Sequence, residues 1–116
     1  MDRQQTIERL QVWARRAHHE AEFADTAADR LHWQGQAQVL SGVATYLQGR
    51  DDTMDAMSIW RQIVSDRSQA IAAWESVQDG PQAMFNAGMV AGYDMALSVV
   101  KDVMGRSWSE NRLKLG

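Results

Sequence analysis

Residues 7–31 read IERLQVWARRAHHEAEFADTAADRL and decide the fold. Their apolar and small side chains recur at alternating steps of three and four, which is the spacing of one helix face. These positions, called the alanine seam below, are Ile7, Leu10, Ala14, Ala17, Ala21, Ala24, Ala28 and Leu31. Small side chains on one face let a second helix approach closely, so the seam predicts tight helix pairing.

A turn at residues 24–26 is predicted inside this stretch. Thr26 and Asp29 have the spacing of a helix-capping box, with Asp in place of the usual Glu. The apolar pattern also changes phase after Leu31, where the best stripe restarts at Trp33. A straight helix would then have to bury two different faces in succession. We therefore predict a helical hairpin, with one continuous rod as the alternative.

Glycine and proline divide the rest of the chain. Gly49 ends the second helix, Asp79-Gly80-Pro81 separates the third from the fourth, and Gly105 is expected to end the fourth. The predicted helices cover about 3–24, 27–48, 53–78 and 82–104, followed by a short C-terminal tail. Short connections favour antiparallel neighbours. The predicted fold class is all-α, either an antiparallel four-helix bundle or two packed helical hairpins.

Two glycines lie inside the fourth predicted helix, in the pattern Gly88-x-x-x-Gly92. A glycine in a helix interior costs roughly 1 kcal/mol relative to alanine, so these two should have a packing reason or a ligand reason. Three tryptophans, Trp33, Trp60 and Trp74, lie on apolar stripes and are predicted to be in the core.

Composition bounds the class of protein. The chain has 116 residues, no cysteine and a net charge of −3, which fits one helical domain (1–105) and excludes disulfides and thiolate sites. Residues 51–105 hold three cations against eight acids, whereas the tail, 106–116, holds three cations against one acid. The balance does not favour nucleic-acid binding. With no signal peptide and no run of about 20 apolar residues, we expect no membrane contact and a cytoplasmic location, or a place within a larger intracellular or virion assembly.

A polar stripe beside the alanine seam is the one candidate metal site. His18, Glu22, Asp29 and His32 would approach one another if the turn forms a hairpin. Clusters of carboxylates and imidazoles on facing helices are how helical bundles hold metal ions. Charged stripes are more often solvated faces, and we prefer that interpretation. A weaker idea pairs Glu22 and Asp25 with Asp52 and Asp55 around Mg²⁺, although helix capping already explains the last two.

The basic tail is the candidate site for a protein partner. Aromatic side chains flanked by arginine are over-represented in interface hot spots. The residues predicted to bind the partner are Arg106, Trp108, Arg112, Leu113 and Leu115. Alternatively, the tail folds back on the acidic body of its own subunit.

The predicted function is a non-enzymatic helical interaction or assembly protein that self-associates or docks on a larger protein partner. No catalytic residue, cofactor or metal is assigned to it. In its small size, lack of cysteine and many small residues, the chain resembles the accessory or structural virion proteins of bacterial viruses, although no motif carries that resemblance. The alternative function is a metal-binding helical bundle, either a metal-binding protein alone or a metal-dependent hydrolase, that uses the His18, Glu22, Asp29 and His32 cluster.

Overall fold

The computed structural model describes residues 3–49 and 56–115, with side chains for residues 3–49 and 57–103. The described chain forms four helices, packed into an all-α bundle as predicted. They are α1 (Arg3–Glu22), α2 (Ala27–Gln48), α3 (Ala56–Ser76) and α4 (Pro81–Leu115). The predicted start of the third helix, with its capping residues Asp52 and Asp55, lies outside the described residues.

The turn between α1 and α2 is where the sequence predicts it. Thr26 has an extended backbone, with φ −125° and ψ 157°, and its side-chain oxygen accepts a hydrogen bond from the Asp29 amide at 3.0 Å. This cap satisfies one of the amides that the first turn of a helix leaves unpaired. The hairpin is therefore confirmed, and the continuous rod is wrong.

The pairs α1–α2 and α3–α4 each form a hairpin, and the two hairpins meet where α2 packs against α4. Helices α2 and α4 run in the same direction, because successive residues of α2 meet successive residues of α4. Helix α1 packs chiefly on α2 and also reaches α4, whereas α3 packs on α4. Helix α4 thus contacts all three other helices.

Glycines let α2 and α4 approach to backbone contact. A Cβ atom added to Gly35 would overlap the carbonyl oxygen of Phe85, and one added to Gly88 would overlap the carbonyl oxygen of His32. At Gly92 the added atom would lie 2.8 Å from the Val39 Cβ. Both glycines of the Gly88-x-x-x-Gly92 pattern therefore have a packing reason.

The core is formed mainly by aliphatic side chains of α2 and α4, closed on one side by α1 and on the other by α3. The first five seam positions, Ile7 to Ala21, are buried on α1. Ala28 is exposed, so the alanine seam forms the buried face of α1 but does not continue as a buried face of α2. Trp33 and Trp60 are half-buried, but the prediction that Trp74 is a core residue is wrong, since it is 45% exposed.

Helix α4 is longer than predicted. It passes through Gly105 and ends at Leu115, so the predicted helix end at Gly105 is wrong and the C-terminal tail is a helical extension. A lone glycine lowers helix stability but does not stop a helix unless the chain also turns there. At Gly80 the chain does turn, with φ 89° and Pro81 directly after it.

Within the described residues, Pro81–Val103 of α4 is the one helical segment long and apolar enough to meet the criteria for crossing a membrane. Its mean hydropathy is 1.2. In the bundle this same segment packs against the three other helices, and a central helix needs apolar residues on several sides.

Candidate functional site: the groove between α1 and α4

A groove of about 690 Å³ lies between α1 and α4. The α1 residues that line it are spaced as one helix face, and α4 contributes two more. The described lining residues, called the α1–α4 groove below, are Gln5, Glu8, Arg9, Val12, Trp13, Asp102 and Val103. Helix α1 therefore carries two faces, the buried alanine seam and this open one.

An ion pair crosses the groove. The Arg9 Nη1 donates to the Asp102 Oδ2 at 2.7 Å and joins α1 to α4. Both side chains are well exposed, at 44% and 61%, so this pair orients the two helices more than it stabilises them. Glu8 accepts a hydrogen bond from the Gln4 side chain at 3.3 Å. The rim of the groove thus carries both signs of charge.

The apolar part of the groove consists of Val12, Trp13 and Val103. Val103 is buried, Trp13 is half-buried and Val12 is 54% exposed. The guanidinium of Arg16 lies 5.3 Å from the centre of the Trp13 ring, within the range of a cation–π contact. Apolar side chains with a charged rim are the composition expected of a surface that accepts an amphipathic helix.

The structure does not assemble the alternative metal cluster. His18, Glu22 and Asp29 are exposed, and within the described residues no three His, Asp or Glu side chains form a group that could hold a metal ion. His32 lies at the interface between α2 and α4, where its backbone carbonyl faces Gly88. The weaker Mg²⁺ grouping needs Asp52 and Asp55, which lie outside the described residues.

The five residues predicted to bind a partner lie on the helical extension of α4. The backbone there is described to Leu115, but the side chains of Arg106, Trp108, Arg112, Leu113 and Leu115 lie outside the described part. The extension, from Gly105 onwards, begins two residues after Val103, which lines the groove with Asp102. The predicted partner site and the α1–α4 groove are therefore neighbours on α4.

Sequence reasoning missed the α1 side of this surface. Val12 receives no role in the prediction from sequence, which gives α1 the alanine seam and the polar stripe beside it. The available signal is the spacing of Gln5, Glu8, Arg9, Val12 and Trp13, a second helical stripe that ends in two adjacent apolar residues. Whether this stripe faces solvent or lines a groove depends on where α4 packs, and the spacing of residues in α1 does not specify that.

Comparison of the chain with protein-family models, with curated proteins and with solved structures finds no match to any of them.

Proposed function

We propose that this protein is a non-enzymatic interaction or assembly module, which binds a second copy of itself or a larger protein partner through the α1–α4 groove and the adjoining extension of α4. The observation that carries the proposal is the open groove, in which Val12 remains 54% exposed beside the half-buried Trp13. An amphipathic helix laid into such a groove would cover this apolar surface.

The length of α4 supports the same surface. Arg9 lies opposite Asp102, so the antiparallel register places Arg3, the first residue of α1, opposite about residue 108 at equal rise per residue. The last turns of α4 thus extend roughly 10 Å beyond the start of α1. No other described helix runs beside them. A partner that binds in the α1–α4 groove would therefore also reach these turns of α4.

The proposal is tested by the solution mass of the full chain, measured by analytical ultracentrifugation across the micromolar range. If the protein self-associates, the mass rises with concentration, and Val12→Glu returns it to that of a monomer by placing a charge in the groove. The matched control is Val64→Glu on α3, because Val64 is also exposed, at 39%, and lies outside the groove. We expect the control to associate like the unmodified chain.

If the unmodified chain is a monomer throughout, the immobilised full chain is used to capture partners from its source cells. Retention of one protein by the unmodified chain and by Val64→Glu, with loss in Val12→Glu, would support the groove as the binding surface. A monomer with no capture that depends on Val12 would overturn the proposal. Association lost in Val64→Glu but kept in Val12→Glu would assign the interface to α3 instead and overturn the groove.

The virion role and the cytoplasmic location remain predictions from composition.

A further inference from the structure

A second cavity lies in a cleft between α2 and α3, with α4 also contributing to its lining. Both of these helices pack on α4, and the space left between them encloses about 310 Å³. Met89 and Tyr93 of α4 contribute to its lining between the two helices. This volume is at the lower end of the range for small-molecule sites in proteins, and such sites occur between the helices of bundles.

Gly42 is an exposed residue of α2 that lines this cleft. A Cβ atom added to Gly42 would meet nothing within 4 Å, whereas the same addition at Gly35, Gly88 or Gly92 meets another helix. Those three glycines have a packing reason, and Gly42 has none. Because Gly42 is exposed, the open space beside it lies at the solvent side of the cleft, where a bound molecule could enter.

The described lining divides evenly between apolar residues or glycine and residues with a polar group, the latter being Gln38, Tyr46, Gln62, Asp66 and Tyr93. Val43 and Met89 supply apolar surface, while Tyr46 and Tyr93 bring two aromatic rings from different helices. Asp66 is the one charged residue among the described lining residues. Its Oδ1 accepts a hydrogen bond from the Gln62 side chain at 3.0 Å, which leaves the carboxylate further acceptor sites.

The nearest basic residue in sequence is already paired. Arg67 follows Asp66 in α3, and its Nε donates to the Asp94 Oδ1 at 2.5 Å. Burial, and after it the charge of Asp66, raises the pKa of the Tyr93 phenol above its ordinary value of 10.0. Tyr93 is therefore neutral at physiological pH, and the net charge that the described cleft residues present is negative. This disfavours an anionic ligand and favours a cation.

We infer that the α2–α3 cleft binds a small organic cation with an apolar body, such as a quaternary or tertiary ammonium compound. The cation lies near the Asp66 carboxylate and against the rings of Tyr46 and Tyr93, since aromatic faces attract ammonium groups. Its apolar part occupies the space beside Gly42. This inference does not rest on the proposed function, because the cleft and the α1–α4 groove share none of the lining residues that the structure describes.

The test uses the full chain and titrates choline while recording the NMR signals of the backbone amides. A parallel titration uses 3,3-dimethylbutan-1-ol, which has nearly the shape of choline but no charge. We expect choline to shift the signals of residues around Gly42 and to bind at least about ten-fold more tightly than the alcohol. Equal affinity for the two compounds would overturn the assignment of a cation. No binding of choline up to the highest concentration that the protein tolerates would overturn the site.

Substitutions inside and outside the cleft test whether choline binds there. Gly42→Leu adds a side chain at the cleft, where a Cβ atom meets nothing within 4 Å, and should abolish choline binding, while Gln34→Leu, on an exposed position of α2, should leave it unchanged. Asp66→Asn keeps the shape and should weaken choline by about ten-fold or more, and this variant decides the question if Gly42→Leu does not fold. Unchanged binding in either cleft variant would overturn the site.

A third ligand tests whether the cleft prefers a free small cation or the lysine side chain of a protein partner. Nα-acetyl-lysine amide keeps the side-chain ammonium group that a lysine of a protein partner would present. We expect it to bind more weakly than choline, because its strongly hydrated primary ammonium gains less from aromatic faces. Tighter binding of the lysine derivative would assign the cleft to a partner's side chain and overturn the inference of a free small molecule.

Discussion

Adding one methyl group to the bundle should have opposite effects at two glycines. Gly88 and Gly42 both lie inside helices, on α4 and α2, and alanine is the better helix former at either position by roughly 1 kcal/mol. They differ in what the new methyl would meet. At Gly42 it meets nothing within 4 Å, whereas at Gly88 it meets the backbone of His32.

The magnitude at Gly88 follows from the atoms involved. The new Cβ would overlap the His32 carbonyl oxygen and lie 2.8 Å from its carbonyl carbon. Ordinary contacts between carbon atoms are about 3.5–4.0 Å, so α2 and α4 would have to separate by about 1 Å. A backbone carbonyl has no alternative rotamer, and overpacking of a core costs about 1–3 kcal/mol or more. At the upper end of that range, and after the gain in helix propensity, Gly88→Ala should lower the free energy of unfolding by about 2 kcal/mol.

Gly42→Ala should instead raise the free energy of unfolding by about 0.5–1 kcal/mol, because only the propensity changes. Urea unfolding followed by circular dichroism at one fixed, low protein concentration measures both values and keeps any self-association constant. In thermal unfolding the Gly88 variant should melt about 8 °C lower. A Gly88→Ala protein as stable as the unmodified chain would refute backbone contact between α2 and α4, and destabilisation by Gly42→Ala would refute the open space at Gly42.

Three further predictions concern single contacts. Thr26→Ala should lower the free energy of unfolding by about 1 kcal/mol in urea titrations, because the Asp29 amide loses its cap. Arg9→Ala should change it by no more than about 0.5 kcal/mol, since the pair with Asp102 is exposed. The raised pKa of Tyr93 means that the folded protein keeps a proton that the unfolded chain releases above about pH 10. Its stabilising contribution is complete below that pH and is lost as the pH rises further, and Tyr93→Phe should reduce this loss in urea midpoints measured across the range.

Each of these has an outcome that would contradict it. A Thr26→Ala protein of unchanged stability would mean that solvent caps α2 as well as the hydroxyl does. A loss above 1 kcal/mol in Arg9→Ala, with strong dependence on salt, would mean that the pair with Asp102 is less solvated than its exposure indicates. For Tyr93, an absorbance titration at 295 nm that shows an ordinary phenol would remove the basis of the pH prediction.

Local signals explain why much of the fold follows from sequence. The cap at Thr26, the stop at Gly49 and the Gly80-Pro81 turn each act through one or two residues, so their positions can be predicted without knowing the neighbours. The buried face of α1 is likewise set by its own spacing of apolar residues. The extension of α4 through Gly105 was not predictable in this way, because a single glycine is compatible with both a helix and its end.

The candidate site depended on information that no single segment holds. Val12 and Trp13 became part of a groove because α4 lies beside α1, and Trp74 became exposed because α3 packs on α4 and not within a closed ring of helices. The metal cluster failed for the same kind of reason, since packing on α4 places His32 at the α2–α4 interface, whereas His18 is exposed on α1.

The sequence by itself determined the helices, most of their ends and the closely packing face at Ile7–Ala21, because these depend on residues three or four positions apart. Only the tertiary structure decided which glycines touch another helix and which face open space. It also decided which stripe of α1 borders a groove. These properties depend on the distance and direction between helices, which the summed packing of the whole bundle sets.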